Sequence, residues 1–104
     1  MKSPGSASLV QISAGRYKVA GRLDFASVGS LLDSGARAIE SGATDKQLAI
    51  DLAQVSASDS AGLALLIEWQ SVAQANQCAL HYENVPSQVR QLARLSEVEE
   101  LLLR

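Results

Sequence analysis

The sequence predicts an α/β domain, a mixed four-stranded sheet with helices packed against it, in the order β-β-α-β-α-β-α-α. Three observations predict it. Two short apolar stretches, Leu9-Val10-x-Ile12 and Tyr17-x-Val19 on to Leu23, flank Ser13-Ala14-Gly15, and turn residues between two such stretches favour an antiparallel hairpin. Leu48-Ala49-Ile50-Asp51-Leu52 is almost continuously apolar, which suits a central strand covered by other elements better than a half-exposed edge. From there strand patterns alternate with helical ones, implying βαβ crossovers and parallel neighbours.

After the hairpin, Asp24 is placed to cap a helix in which Val28, Leu31, Leu32, Ala36 and Ile39 recur at helical spacing. Ser27, Ser30, Asp33, Ser34 and Arg37 are expected to face outward, and Gly42 to mark the helix stop. Gly35 falls on the apolar side, where a missing side chain lets the helix backbone approach the sheet. Past the central strand and a Ser58–Ser60 loop, a second helix runs to about Ala75, followed by a strand over Cys78-Ala79-Leu80-His81-Tyr82. Pro86 and Ser87 open a third helix with Val89, Leu92 and Leu95 inward. Ser96 and Glu99 have capping-box spacing, so Glu97 to Leu103 is expected as a short terminal helix. Residues 1–7, polar and containing Pro4 and Gly5, are expected to be a flexible tail ahead of a single domain over 8–104.

Composition narrows the function classes. The chain has 104 residues, 47% hydrophobic and 19% charged, which suffices for one core and not for two. A net charge of −2, with nine basic residues scattered along the chain, gives no electrostatic footprint for nucleic acid or an anionic membrane. The single cysteine, Cys78, excludes an intrachain disulfide and a Cys-rich metal site, and it fits a reducing, cytoplasmic compartment. No apolar segment follows Lys2 as in an export signal, and the run near Ala64–Ile67 is far too short to span a bilayer. Neither export nor membrane insertion is expected.

The stretch with most chemical content is Ser58-Asp59-Ser60-Ala61-Gly62-Leu63, which joins the buried strand to the second helix and leaves the Ser60 hydroxyl at the helix start. Unpaired N–H groups and partial positive charge at such an end favour an acidic group, a phosphate or a partner's acceptor. At about 100° per residue, Leu65, Leu66, Trp69, Val72 and Ala73 share one arc of that helix, wide enough to face the sheet. Leu63 and Ile67 lie outside the arc beside Gln70 and Gln74, so they are either covered by a neighbouring element or form an exposed interface patch rimmed by glutamines. Asp24, Asp51 and Asp59 could converge nearby, but Asp24 and Asp59 are better used as helix caps, and no metal or other cofactor is expected. Ser60 is not expected to be a catalytic nucleophile. Ser58 stands where a nucleophile elbow needs glycine, and the one histidine, His81, falls within a strand. His81 reads as a solvated strand residue and Cys78 as a small core residue.

With this order of elements, the motifs Gly21-Arg22-Leu23-Asp24, Ile50-Asp51-Leu52 and Asp59-Ser60-Ala61-Gly62-Leu63 resemble the STAS family of sulfate transporters and anti-sigma factor antagonists. The resemblance spans about residues 8–104 and implies a STAS-like domain that presents the start of its second helix to a protein partner. The continuation Gly62-Leu63-Ala64-Leu65-Leu66-Ile67 is similar to the MlaB branch, which serves the Mla phospholipid transport complex by binding its cytoplasmic ATPase subunit. Antagonists usually carry Ser or Thr in place of Ala61 and a further glycine in place of Ala64.

The resemblance therefore implies a non-enzymatic subunit of a lipid ABC transporter, held at the inner-membrane face through its ATPase partner and only indirectly in touch with the permease. Asp59, Ser60, Ala61, Gly62, Leu63 and Ile67 would form its partner-binding surface. The alternative it implies is an anti-sigma factor antagonist whose Ser60 is phosphorylated by a partner kinase. A third class, a small-ligand-binding or structural domain, calls for a concave apolar pocket, of which the sequence gives no sign.

Overall fold

Gly15, in the left-handed region at φ 73°, turns the chain between β1 (Ser8–Ser13) and β2 (Arg16–Leu23), which pair antiparallel with Leu9 opposite Val19. The computed structural model describes residues 7–42 and 46–102. Apart from Ala7, the expected N-terminal tail lies outside them. The Gly15 carbonyl accepts the Ala49 N–H at 2.9 Å and so ties the hairpin to β3 (Gln47–Ser58), which runs parallel to β2 and to β4 (Ala79–Glu83). The sheet order is β1-β2-β3-β4. The crossovers are α1 (Val28–Gly42) and α2 (Ser60–Ala75), and α3 (Ser87–Leu95) and α4 (Glu99–Leu102) complete the chain. The mixed four-stranded sheet and the element order are those the sequence predicts.

Two features of β3 differ from expectation. It runs well past Leu52, because Ala53–Ser58 still pair with β2 across two register shifts, so tertiary pairing overrides a weak local strand preference. It is also covered on one face only. Leu48, Ile50 and Leu52 are fully buried, whereas Ala49, Asp51 and Ala53 alternate to the open side and keep contact with solvent.

The core is closed by α1 against α2. Trp69 is fully buried, and its indole lies against the Cα of Gly35 so closely that a Cβ there would fall on the ring. Its Nε1–H donates to the Leu32 carbonyl at 3.3 Å. Gly35 thus has the packing role read from the sequence, but the group admitted is the indole of α2 and not the sheet. Tyr82 donates its hydroxyl to the Leu66 carbonyl at 2.6 Å, and burial pushes its pKa well above the ordinary tyrosine value.

Several face assignments are corrected. Ser27 is buried, donating its hydroxyl to the Arg22 carbonyl at 2.7 Å, because the chain turns ahead of α1 and folds that hydroxyl back on the strand end. Leu32 is partly exposed, its contribution to the core being the carbonyl that receives Trp69. Leu95 is 83% exposed while Ala93 is fully buried, since α3 ends at Leu95 and turns its small residue to the tight contact. Helix α4 starts at Glu99, later than expected, and Glu99 pairs with Arg94 at 3.4 Å instead of reaching back to Ser96. Leu103 lies outside the described residues. Gln70, expected at an exposed rim, is buried and donates from Nε2 to the carbonyls of Leu80 and Leu102 at 3.0 and 3.3 Å, fastening α4 to α2 and β4. Cys78 is a buried free thiol whose pKa is raised by desolvation, as its core placement implies.

Candidate functional site

The end of β3 feeds directly into α2 through Asp59, whose extended backbone (φ −116°, ψ −170°) makes it the N-cap. Its Oδ1 accepts the N–H groups of Ala61 at 2.9 Å and Gly62 at 3.1 Å, satisfying two donors that a helix start otherwise leaves open. Its Oδ2 accepts the Phe25 N–H at 3.2 Å, so one carboxylate joins the β2–α1 turn to the first turn of α2. The Asp59 N–H in turn donates to the Leu23 carbonyl at 3.2 Å. Desolvation pushes the Asp59 carboxyl up, but the N–H groups of Gly62, Phe25 and Ala61 together outweigh it and hold the carboxyl below the usual range. A carboxyl held low contributes stability that is complete above its unfolded value of about 3.9 and is lost as the pH falls through the lower folded value. Asp59→Ala is therefore expected to melt at a lower temperature than the parent at neutral pH, with the gap narrowing below about pH 3.9; paired thermal melts across that range check it.

Gly62 explains the glycine of the motif. A Cβ at that position would fall on the Leu23 carbonyl oxygen and the Ser58 Oγ, with Leu23 Cβ at 2.8 Å, so only glycine lets α2 begin this close to the end of β2. Ser60 opens the helix with its side chain exposed, and Ala61 beside it is half-buried. Ala64 is exposed one turn on, and Ile67 is half-buried against the core.

The sequence-predicted site residues thus divide. Asp59, Ser60, Ala61 and Ile67 reach the surface, whereas Gly62 and Leu63 do not. Leu63 is only 4% exposed and belongs to the central hydrophobic cluster, which corrects the expectation that it could add to an exposed patch. The apolar flank at the start of α2 is thus consumed within the fold at Leu63 and reaches the surface only at Ile67.

Phe25 was not among the sequence-predicted residues, yet it is 85% exposed, and its N–H is held by the same Asp59 carboxylate that caps the helix opened by Ser60. Its signal in the sequence is positional: the chain's single phenylalanine follows Asp24 ahead of the first helix, off that helix's apolar period. Together with Arg22, Asp24, Ala57, Asp59 and Gln88, it borders a shallow cleft of about 410 Å³. Arg22 Nε and Asp24 Oδ2 pair at 3.0 Å along its wall.

The three aspartates do not converge. Asp51 lies on the order of 20 Å back along β3 from the site, on the open face of the sheet. There it accepts from Asn84 Nδ2 at 3.0 Å and the Ala53 N–H at 2.8 Å. The Asn84 bond first, then the Ala53 N–H, hold its carboxyl below the usual range. Among the described residues no three potential ligands gather as a metal site would require. His81 pairs with Ala49 near the start of β3 and lines a separate hollow of about 350 Å³ with Arg16 and Glu83, at the opposite end of the strand from Ser60.

A four-stranded mixed sheet whose long parallel strand delivers an exposed hydroxyl to the start of a capped helix defines a domain class, and residues 11–104 match the family described as “Mlab, STAS domain”. The chain belongs to the STAS domain family. Among solved structures it is similar to the anti-sigma factor antagonist SpoIIAA in its unphosphorylated form, at 19% identity and a TM-score of 0.70, with 92% of this chain and 84% of that one covered. The Bacillus cell fate determinant SpoIIAA in its phosphorylated form matches at 17% identity and a TM-score of 0.68, covering 92% and 87%. The overall structure of SLC26A9 matches at 17% identity and a TM-score of 0.61, covering 94% of this chain and 21% of that one. At these identities the likeness is one of fold. No curated protein matches the chain. Among the described residues no helix is long and apolar enough to cross a membrane.

Proposed function

We propose that this chain is a non-catalytic subunit of a Mla-type lipid ABC transporter. It docks through the start of α2 onto the cytoplasmic ATPase subunit and stabilises or regulates it in support of phospholipid transport and outer-membrane lipid asymmetry. The family match to MlaB-like STAS domains supports this reading. The observation that carries it is the geometry of the α2 start: Asp59 spends its acceptors inside the fold, leaving the Ser60 hydroxyl and the small Ala61 and Ala64 side chains on a rigid, closely approachable turn. Ser60, Ala61 and Ile67 make contact, with Asp59 at the edge; Gly62 and Leu63 set the height of the turn from below. The chain touches neither lipid nor nucleotide in this scheme, and it sits at the inner-membrane face through its partner, reaching the permease only indirectly.

Ser60→Arg places a long charged side chain in that contact and is expected to remove the ATPase subunit from a co-purified complex while leaving the thermal midpoint of the isolated chain unchanged. Unchanged co-purification would refute the placement.

A second reading is favoured by the exposure of Ser60 and by the likeness to SpoIIAA, which is known in both unphosphorylated and phosphorylated forms. Here the chain is an anti-sigma factor antagonist and its partner a kinase. A phosphate on Ser60 adds roughly −1.5 to −2 charge beside the Asp59 carboxylate and releases the partner by repulsion and desolvation. Intact-mass analysis after incubation with the cognate anti-sigma kinase tests it, and a chain that stays unmodified by an active kinase rejects it.

A further inference from the structure

The β2–α1 turn combines two properties that oppose each other in an isolated domain. It is held in one shape, and it presents a large apolar side chain to water. Every backbone N–H from Asp24 to Ser27 is bonded: Asp24 to Ser27 Oγ at 3.1 Å, Phe25 to Asp59 Oδ2 at 3.2 Å, Ala26 to Asp24 Oδ1 at 3.1 Å and Ser27 to the Asp24 carbonyl at 3.0 Å. The Ser27 hydroxyl also donates to the Arg22 carbonyl, and Ser27 is buried. These bonds fix the backbone that carries the ring, and Phe25 is 85% exposed. Trp69, by contrast, is fully buried, and Tyr17 and Tyr82 pack against the core.

We propose that Phe25 is the anchor of the docking surface, entering an apolar pocket of the same protein partner that covers Ser60. This rests on the docking function argued above. Rigid aromatic side chains carry a disproportionate share of interface energy because little conformational freedom is lost when they are buried. The Asp59 carboxylate couples the two parts of the surface: it caps the helix that displays Ser60 and fixes the backbone that displays Phe25, so both present to the partner as one unit. Charge selects the class of occupant. Phe25 is flanked by the Arg22–Asp24 ion pair and by the Asp59 carboxylate, which leaves one net negative charge at the cleft in a chain of net charge −2, a balance that gives an anionic lipid surface nothing to attract it. The Arg22–Asp24 pair and Asp59 on the cleft wall form a polar rim around an apolar centre, the usual arrangement of a protein interface.

The test uses the full chain and the co-expressed Mla-type ATPase subunit, with affinity measured by titration. Phe25→Ala is expected to weaken binding by at least about 30-fold, the size associated with an interface anchor. Phe25→Leu, which keeps apolar bulk, should retain most of the affinity, and neither variant should shift the thermal midpoint of the free chain. If Phe25→Ala binds within about threefold of the parent, a change of well under one anchor's worth, while Ser60→Arg abolishes binding, the docking function stands and the anchor falls. If the parent chain shows no binding to the ATPase subunit, both fall together. Sedimentation of the free chain and flotation with phosphatidylglycerol vesicles identify other occupants: a dimer, or vesicle binding, that is lost in Phe25→Ala would overturn the assignment to this partner.

Discussion

Gly35→Val is expected to leave the chain without a stable native state at physiological temperature. A Cβ at position 35 would overlap the Cε2, Nε1 and Cζ2 atoms of Trp69, so the branched side chain has no room unless the indole leaves its site. The indole is fully buried against α1, and moving it sacrifices packing worth about 3–5 kcal/mol, the range found for truncating a buried tryptophan. Overpacking strain adds about 1–3 kcal/mol. A domain of this length holds only about 5–15 kcal/mol in total, so the two together take a large share of the reserve and all of it toward the lower end of that range. Trp69 is the only tryptophan and therefore reports on its own displacement: its emission should shift to the red and the thermal transition should broaden or vanish. Because the clash is pairwise, combining Gly35→Ala with Trp69→Leu should cost less than the sum of the two single changes. Strict additivity, or a Gly35→Val protein with native emission, would show that the two helices are not locked as described.

The Gly35 contact also shows what the sequence makes legible. A glycine on the apolar side of a helical period announces a close approach, because nothing else justifies its cost in a helix interior. It does not say to what, since the indole that fills the gap lies 34 residues further along the chain. The strands, the crossovers and the order of elements were readable for similar reasons: Leu48, Ile50 and Leu52 advertise a buried ladder, and strand and helix patterns alternate. The faces of short elements were not. Helix α3 is nine residues long, too few turns for its apolar period to fix which face is buried, and it buries Ala93 while leaving Leu95 exposed. The tail of β3 was invisible locally because Ala53–Ser58 carry weak strand preference and are extended by pairing with β2.

At the candidate site, the sequence correctly marked the Asp59 cap, whose geometry is local, spanning three residues of one helix start. It left Leu63 open between covered and exposed because helical projection compares a residue with its own helix alone; the fold settles it by taking Leu63 into the central hydrophobic cluster. It passed over Phe25 for the converse reason. The N–H bond from Phe25 to Asp59 links positions 34 residues apart, and until that bond is known nothing associates the aromatic ring with the Ser60 surface.

Gly62→Ala should separate the shape of this surface from its chemistry. The added methyl would fall on the Leu23 carbonyl oxygen and the Ser58 Oγ, with Leu23 Cβ at 2.8 Å. A serine hydroxyl can rotate away, but the carbonyl belongs to the strand backbone and also accepts the Asp59 N–H at 3.2 Å. Relief therefore requires the first turn of α2 to rise from the end of β2, which strains or breaks that bond and disturbs the Asp59 bonds to Phe25, Ala61 and Gly62 at once. Loss of several kcal/mol is expected, on the order of the overpacking penalty plus a helix cap, together with loss of binding to the ATPase subunit even at temperatures where the chain remains folded. The comparison that gives the result meaning is Gly29→Ala on α1, where an added Cβ meets nothing within 4 Å. Gly29 lies in the first turn of α1, where glycine costs less than in a helix interior, so the substitution should leave stability unchanged or raise it by at most about 0.5 kcal/mol, and leave binding intact. Ser60→Arg completes the set, keeping stability while losing binding. Should Gly62→Ala fold and bind like the parent, the close seat of α2 on the strand end would not be what positions Ser60, and the derivation of the surface from the Asp59–Gly62 turn would fail.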